Sequence, residues 1–448
     1  MRKALKVATL MGLAAALIVP STPSKAADDM EMGNTKVTIG GELRERIEWY
    51  ANDVGTGEGR DIYIPMRAKL KLKAELSDGV SAVFVPEAAF NAGSHFHGVG
   101  TNGLDLNKEV AQDSINIHEA YFLLSNPFGI NNVIVKAGRQ EVNLGNERLV
   151  SSNDWFQEDR SLDGILLGYV AGDYGLAGFF YGKLEDTKGK VGTDKNGEPI
   201  YDIDLYVATW QGSFKPFGFG GTYELTDVYI NPTVANFDLN TIYARVTPEV
   251  DVEFGKVKAN VEGAWQSGNA DQVAVAGANF KGYMYSVGAG ADLNYAWNPS
   301  VFVGYDVYSG DDGKGDFNAF LAPVPNVDKF LGAYNQFDQS LGAYLGMSDA
   351  KFVKEGIKDL YFKVGANPTE KIGLSFGYHY LKSDKDFSNG GNNIGWEVDL
   401  GAFYEYSKNL CFEAGWSHLD PDKDYANDYL NGEDKAGDWI YTQATVKF

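Results

Sequence analysis

The stretch IYIPMRAKLKLKAEL, residues 62–76, alternates apolar and charged side chains. One face would carry Ile62, Ile64, Met66, Ala68, Leu70, Leu72, Ala74 and Leu76, and the other Arg67, Lys69, Lys71, Lys73 and Glu75. Successive side chains of a strand point to opposite faces, whereas a helix would spread these cations around its axis. The stretch therefore predicts a strand with one apolar and one charged face. It is long for a soluble sheet, whose strands average about 5–6 residues.

The same alternation recurs along the chain. In residues 37–49, Arg44, Arg46 and two glutamates alternate with apolar residues, and in residues 256–266, Lys256 and Lys258 do so. Candidate strands start near residues 37, 62, 80, 115, 132, 162, 176, 201, 217, 237, 254, 281, 301, 357, 372, 394, 410 and 438. We expect an all-β fold, a transmembrane antiparallel β-barrel of about 18 strands, because an even number suits a closed bacterial barrel.

The connections between these strands alternate between short and long. The short ones carry turn residues, as in SDG at 77–79 and NPFG at 126–129, and we assign them to the periplasmic side. The long ones, assigned to the extracellular side, span 91–113, 144–160, 186–200, 309–356 and 419–437. Tryptophans near the strand ends predict an interfacial girdle. These are Trp49, Trp210, Trp265, Trp297, Trp396, Trp416 and Trp439.

The charged face of such strands must look inward. A lysine or arginine on the lipid face costs roughly 2–4 kcal/mol near the membrane midplane. The cations of the first two strands therefore form a basic ladder on the lumen wall. Two interpretations stay open: neighbouring acids such as Glu42, Glu48 and Glu75 neutralise the ladder, or the ladder attracts anions.

The N-terminus predicts a cleaved signal peptide over residues 1–26. Arg2, Lys3 and Lys6 precede an apolar run over 7–19, which is shorter than the roughly 20 residues of a membrane-spanning helix, and Ser24 and Ala26 form a small-x-small cleavage site. Residues 27–448 show no linker or composition shift and are expected to form a single barrel domain. The expected location is the outer membrane of a Gram-negative-type bacterium, in contact with lipids and lipopolysaccharide.

Composition excludes several functions. The net charge is −22, and −26 without the four cations of residues 1–26, which argues against nucleic-acid binding. The single Cys411 permits no internal disulfide. The five histidines form no motif with a serine, so we expect no enzyme activity. No cofactor or metal is predicted: His95 and His97 lack further ligands, and residues 420–434 have Tyr425 and Asn431 where a calcium loop needs glycine and glutamate.

The C-terminal segment DWIYTQATVKF alternates like the other strands and ends on Phe448. A terminal phenylalanine resembles the recognition signal of proteins that the barrel-assembly machinery inserts. We therefore expect that machinery to be a partner.

The run KAGRQEVNLGNERLVSSNDWFQEDRSLDGI, residues 136–165, resembles the signature of the alginate-export family of outer-membrane barrels. The matching residues are Gly138, Arg139, Gln140, Gly145, Arg148, Leu149, Trp155, Arg160, Asp163 and Gly164. The segments HEAYFLL at 118–124 and AYLGMSD at 343–349, with the sequence after the latter, also resemble that family. The resemblance implies an 18-stranded barrel whose basic pore passes polyuronate and is partly closed by long loops. It also implies that Arg139, Arg148 and Arg160 line the lumen or a constriction.

Residue chemistry leaves two roles open for these arginines. Arginine matches carboxylates bidentately and so suits an acidic solute, but the three could equally pin a loop through Glu141, Glu147, Glu158 or Asp163. The leading hypothesis is a passive channel for polar, especially anionic, solutes such as acidic saccharides. The alternative is a structural or surface-interaction barrel with little conductance. We expect a monomer rather than a trimer.

Overall fold

The computed structural model describes residues 28–32, 35–55, 57, 59, 62–76, 79–91, 114–185, 192–193, 199–200, 203–215, 219–232, 237–271, 274, 277–334, 336–344 and 351–448. The predicted signal peptide and the loop with His95 and His97 lie outside these residues.

The described strands are β1 Asp28–Met32, β2 Thr35–Asn52, β3 Ile62–Tyr63, β4 Pro65–Glu75, β5 Val80–Asn91, β6 Ser114–Ser125, β7 Val133–Gln140, β8 Leu162–Val170, β9 Leu176–Glu185, β10 Gly192–Thr193, β11 Pro199–Ile200, β12 Ile203–Phe214, β13 Gly220–Pro232, β14 Leu239–Val252, β15 Gly255–Ser267, β16 Tyr283–Leu293, β17 Ser300–Tyr308, β18 Ile357–Thr369, β19 Ile372–Lys382, β20 Asn393–Ser407, β21 Leu410–Pro421 and β22 Gly437–Lys447. The α-helices are Leu341–Tyr344 and Lys423–Tyr429, and short 3-10 helices cover Pro127–Gly129, Gly172–Tyr174 and Val327–Lys329. None of the described helices is long and apolar enough to cross a membrane.

Eighteen of the described strands form a closed antiparallel barrel, which confirms the predicted fold class. Each pairs with its neighbour in sequence, and β2 closes the ring by pairing with β22, from Glu42 opposite Lys447 to Asn52 opposite Asp438. The short strands β1 and β3 add to β2, while β10 and β11 form a separate hairpin. Short turns gather at the end of the barrel where Phe448 lies and long loops at the other, as predicted.

The predicted strand from Ile62 is divided in two. β3 ends at Tyr63 and β4 begins at Pro65, because proline has no backbone N–H to donate to the sheet. Within β4 the predicted alternation holds: Arg67 is 2% exposed and Leu70 is 40% exposed. The charged face therefore looks into the barrel and the apolar face outward.

Apolar side chains are exposed on the outer surface of many strands. Exposed side chains on it include Leu43, Ile47, Ile165, Leu225, Ile242, Val261, Leu360 and Leu400. Trp49, Trp210, Trp265 and Trp297 are also exposed, as a girdle requires. Trp439 is an exception to the predicted girdle, because it is buried inside the barrel against Trp155 and Tyr441.

The barrel interior contains a hydrophobic core rather than an open water column. The loop of residues 141–161 and the described part of residues 309–356 fold inward. Their buried Val150, Phe320, Leu321 and Val324 belong to one cluster with inward side chains of the barrel wall. The wall residues include Leu166, Phe180, Leu205, Val207, Val228 and Ile230. The inward side chains of these strands pack against a loop rather than against water. For that reason several strands carry apolar residues on both faces.

The C-terminal residue closes the seam of the barrel. Gly41 N–H donates to the carbonyl oxygen of Phe448 at 2.8 Å, and Phe448 N–H donates to that of Gly41 at 3.1 Å. A Cβ on Gly41 would lie 2.6 Å from the Phe448 ring, so the glycine lets the ring lie flat on β2. This residue therefore fixes the last contact of β22 with the first barrel strand.

We expect deletion of Phe448 to lower the amount of folded barrel in the membrane. Two backbone hydrogen bonds, each contributing about 0.5–1.5 kcal/mol, and the ring contact with Gly41 would be lost. Heat-modifiable electrophoretic mobility of membrane fractions measures the folded share. Phe448→Tyr keeps the ring and is the matched control. An unchanged folded share after deletion would contradict the assembly role.

Candidate functional site

The loop of residues 141–161, here called the plug loop, lies against the basic ladder of β2 and β4. Arg44 donates to Gln157 Oε1 at 3.0 Å and to the backbone carbonyl of Asp154 at 2.7 Å. The guanidinium of Arg46 lies 3.7 Å from the centre of the Trp155 ring. Arg67 donates to the carbonyl of Phe156 at 3.1 Å and to Asp154 Oδ1 at 2.7 Å. The ladder therefore holds the tip of the plug loop.

Lys69 is the centre of the most buried part of this contact. Its ammonium lies 2.5 Å from Asp159 Oδ1 of the plug loop and 3.1 Å from Glu87 Oε2 of β5. His118 Nδ1 on β6 lies 3.5 Å from Asp159, and its Nε2 lies 2.6 Å from Glu141. Three elements of the barrel wall thus converge on one carboxylate of the loop.

Ligand atoms of Glu87, His118 and Asp159 lie within 4.8 Å of one another, a spacing that could hold a metal ion. The ammonium of Lys69 already lies among them and supplies the positive charge. Burial raises the pKa of Asp159, but His118, Lys69 and Arg67 outweigh it and hold that pKa well below its usual value. The cluster is therefore an ion-paired contact of the loop rather than a metal centre.

The remaining lysines of the ladder also face acids. Lys71 Nζ lies 4.0 Å from Glu119, and Lys73 Nζ lies 2.6 Å from Glu75. Lys136 on β7, which the sequence analysis did not select, lies 3.8 Å from Glu119 and 4.1 Å from the centre of the Tyr121 ring. Of the two interpretations of the ladder, neutralisation by acids fits these contacts.

Arg139 does not line the lumen, and that prediction was wrong. It forms an ion pair with Asp163 at 2.6 Å, opposite it on β8, and donates to the carbonyl of Ile117. Asp163 shares its side of β8 with the exposed Ile165, so the pair lies on the outer surface. The alternation of VIVKAGRQ, residues 133–140, already puts Arg139 on the same face as Val133 and Val135.

Arg148 lies inside the barrel and binds the far wall. Its Nη2 lies 2.9 Å from Glu262 on β15 and 2.9 Å from Asp306 on β17, and its Nη1 donates to the hydroxyl of Tyr308. Burial lowers the pKa of Arg148, but Asp306 and Glu262 outweigh it and raise that pKa well above its usual value. Arg148 thus joins the plug loop to the wall opposite the basic ladder.

Arg160 joins the two inward loops. Its Nη1 donates to the carbonyl oxygens of Ser151 at 3.1 Å and Val324 at 3.3 Å. Burial lowers the pKa of Arg160 to about 10, against the attraction of Asp338 and Asp328. Asp328 is also buried, and its own burial raises its pKa to about 7. Arg160 therefore joins the plug loop to the segment around Val324 through backbone contacts.

Lys256 and Lys258 lie on the inner face of β15 toward the turn end. Lys256 Nζ lies 2.9 Å from Glu249, and Lys258 Nζ lies 2.7 Å from Asp292. Both charges are therefore compensated by acids on neighbouring strands.

A cavity of about 870 Å³ remains between the inward loops and the wall. Residues 328–333 of the loop cover one side, and it extends along β14 to β20 toward the turn end. Its charged and titratable lining is Arg148, Arg245, Glu249, Lys258, Glu262, Asp306, Asp328, Lys329, Asp359, Tyr361, Lys363, His379 and Asp399. Most of these were not selected from the sequence, although the alternation in β14 and β18 assigns Arg245 and Lys363 to the inner face.

Residues 35–190 match the alginate export family model. No protein among the curated sequences matches the chain. The fold is similar to that of Acinetobacter baumannii OccAB4, with a TM-score of 0.61 at 14% identity over 93% of this chain and 99% of that one. It is also similar to Pseudomonas aeruginosa OccK2 (OpdF), with a TM-score of 0.62 at 10% identity over 92% and 97% of the two chains.

The match confirms the resemblance seen in the signature, whose residues form much of the plug loop and its supports. Gly145 has φ +52 and lies where a Cβ would meet the carboxylate of Glu224. Gln140 is fully buried, and its side chain donates hydrogen bonds to the carbonyl oxygens of Gly138 and Gly164. Residues 35–190 thus match the alginate export family, within a closed 18-stranded antiparallel β-barrel whose fold is similar to those of OccAB4 and OccK2.

Proposed function

We propose that the protein is a passive outer-membrane channel for small polar solutes and that it favours anionic ones. The observation that carries the proposal is the cavity inside a closed barrel. A volume of this size suits a ligand as large as a typical drug molecule. Acidic monosaccharides and other small carboxylates fall within that range.

The preference for anions rests on Arg245 and Lys363. Among the described residues neither forms an ion pair: Arg245 donates to the amide oxygen of Asn260, and Lys363 lies over the Tyr361 ring. Both line the cavity, whereas the basic ladder is held by the plug loop and by wall acids. Arg245 lies opposite Glu224 and Glu262 on the neighbouring strands, whereas Lys363 lies opposite Phe302 and Gly377. A cation that lines a cavity raises the local concentration of anions.

We expect the double variant Arg245→Gln/Lys363→Gln to lower the anion-to-cation permeability ratio about fivefold. A unit charge pair contributes about 1 kcal/mol even in water at 4 Å, which corresponds to about a fivefold change in population. Reversal potentials in a salt gradient across planar bilayers measure the ratio. The variant should fold, because lumen positions tolerate polar substitution.

The control variant is Lys371→Gln/Lys408→Gln, which removes the same charge from turns outside the cavity. It should leave the ratio unchanged. If the wild type is cation-selective and Arg245→Gln/Lys363→Gln leaves its permeability ratio unchanged, the acids of the cavity lining govern permeation. That result would remove the anionic part of the proposal.

A second candidate function is a surface-interaction barrel that conducts little. The observation that favours it is the apolar packing of both inward loops, where Val150, Phe320, Leu321 and Val324 are at most 2% exposed. Single-channel conductance separates the two candidates, because a sealed barrel gives no discrete current steps.

A further inference from the structure

Two aspartates lie directly opposite each other on the wall of the cavity. Asp306 on β17 is the register partner of Asp359 on β18, and the two are 2% and 1% exposed. Both side chains line the cavity. Like charges directly opposite on adjacent strands destabilise a sheet. This rung therefore needs a compensating positive charge.

Each aspartate has one oxygen that is paired and one that is not. Asp306 Oδ2 lies 2.9 Å from Arg148 Nη2, and Asp359 Oδ2 lies 2.7 Å from His379 Nδ1. The Oδ1 atoms of both have no hydrogen-bond partner among the described residues. The hydroxyl of Ser286, the register partner of Asp306 on β16, hydrogen-bonds to the Asp306 carboxylate. Buried acceptors without a donor are rare and cost free energy, so a donor is missing here.

The surrounding charges are negative overall. His379 Nε2 lies 3.7 Å from Asp399, and Arg148 also pairs with Glu262. Four carboxylates thus face Arg148, His379 and Arg245, the register partner of Glu262, which together supply three positive charges at most. A positively charged group with hydrogen-bond donors would satisfy both the charge and the orphan oxygens.

We infer that Asp306 and Asp359 form a subsite for the ammonium group of a solute. An ammonium offers three donors, enough for both Oδ1 atoms. A divalent metal ion fits less well, because calcium takes about 6–8 oxygen ligands and only two oxygens are unpaired here. The Tyr361 ring, stacked on His379 at 5.6 Å, lines the same cavity and suits an organic cation.

This subsite narrows the solute class of the proposed function, on which it rests. The cavity carries Arg245 and Lys363 as well as the aspartate rung. A small zwitterion could place its carboxylate near these cations and its ammonium at Asp306 and Asp359. The preferred solutes are therefore small molecules with both a carboxylate and a primary amine.

The test compares 6-aminohexanoate with 6-hydroxyhexanoate, which has a hydroxyl in place of the ammonium. We expect 6-aminohexanoate to block single-channel current at about tenfold lower concentration in the wild type, since charge-assisted hydrogen bonds are about twice as strong as neutral ones. Asp359→Asn should reduce this preference to within about twofold. Glu249→Gln, which removes an acid of the same cavity outside the rung, should retain it.

Two further measurements separate the possible failures. Heat-modifiable electrophoretic mobility shows whether the Asp359→Asn variant has folded. Asp306→Asn is the second variant, and it leaves Arg148 paired with Glu262. Calorimetric titration of the detergent-solubilised protein with both compounds tests the subsite without current. Absence of conductance with retained binding preference would overturn the channel alone. Equal binding of the two compounds by the wild type, or a preference that survives both variants, would overturn the subsite and indicate a proton shared between the aspartates.

Discussion

Replacing Asp159 by Asn is expected to raise the single-channel conductance several-fold. Asp159 is the carboxylate through which the plug loop meets Lys69, Arg67 and His118, at distances of 2.5, 3.5 and 3.5 Å. Removing one partner of a buried ion pair costs about 3–5 kcal/mol, because the remaining charges stay buried and uncompensated. A loss of that size shifts the loop from the docked toward the undocked state by at least about a hundredfold. Planar-bilayer recording measures the current step.

Asp154 provides the matched control within the same loop. It also pairs with Arg67, at 2.7 Å, but its side chain is 64% exposed. Exposed ion pairs contribute about 0–1 kcal/mol, so Asp154→Asn should leave the conductance almost unchanged. If Asp159→Asn folds and conducts like the wild type, apolar packing alone holds the plug loop.

The same contact predicts how the channel responds to pH. The pKa of Asp159 is held well below its usual value. Burial raises the pKa of Glu141, but the hydrogen bond from His118 outweighs it and lowers that pKa. A carboxylate with a lowered pKa stabilises the folded contact above its unfolded pKa and loses that stabilisation as pH falls through the folded value. The plug should therefore stay docked at neutral and mildly acidic pH and loosen only in stronger acid.

The second large effect is expected from Arg148→Ala, which should lower the free energy of unfolding by about 3–5 kcal/mol. The truncation leaves Glu262 and Asp306 buried, at 4% and 2% exposure, without their shared guanidinium. Equilibrium unfolding in denaturant from lipid vesicles measures the change. Arg148→Lys should recover part of the loss, because an ammonium keeps the charge but not the planar fork of donors.

Arg139→Ala is the control for Arg148→Ala, since both arginines belong to the family signature. The Arg139 pair with Asp163 lies on the outer surface, with side-chain exposures of 42% and 54%. Its loss should cost no more than about 1 kcal/mol. Equal destabilisation by the two variants would show that the interior pairs of Arg148 contribute no more than a surface pair.

The sequence by itself determined the barrel, its strands and the direction of each face. The alternation in residues 62–76 is a local property with a period of two, and the high cost of a charge in lipid decides which face looks inward. Applied to residues 133–140, the same rule places Arg139 outside, although the family resemblance suggested the lumen. Turn residues predicted the short connections, but the break before Pro65 was not predicted from the alternation.

Only the tertiary structure decided which inward charges meet the cavity. Arg67 is neutralised by Asp154 and Asp159, which lie about ninety positions further along the chain, because the plug loop folds back into the barrel. Arg245 and Lys363 face the cavity, where Arg245 lies opposite Glu224 and Glu262 and Lys363 lies over the Tyr361 ring. Periodicity assigns a side chain to a face, but the partner opposite that face comes from a distant segment whose position depends on packing across the lumen. For that reason the sequence indicated a basic pore wall, whereas the structure shows where it is neutralised.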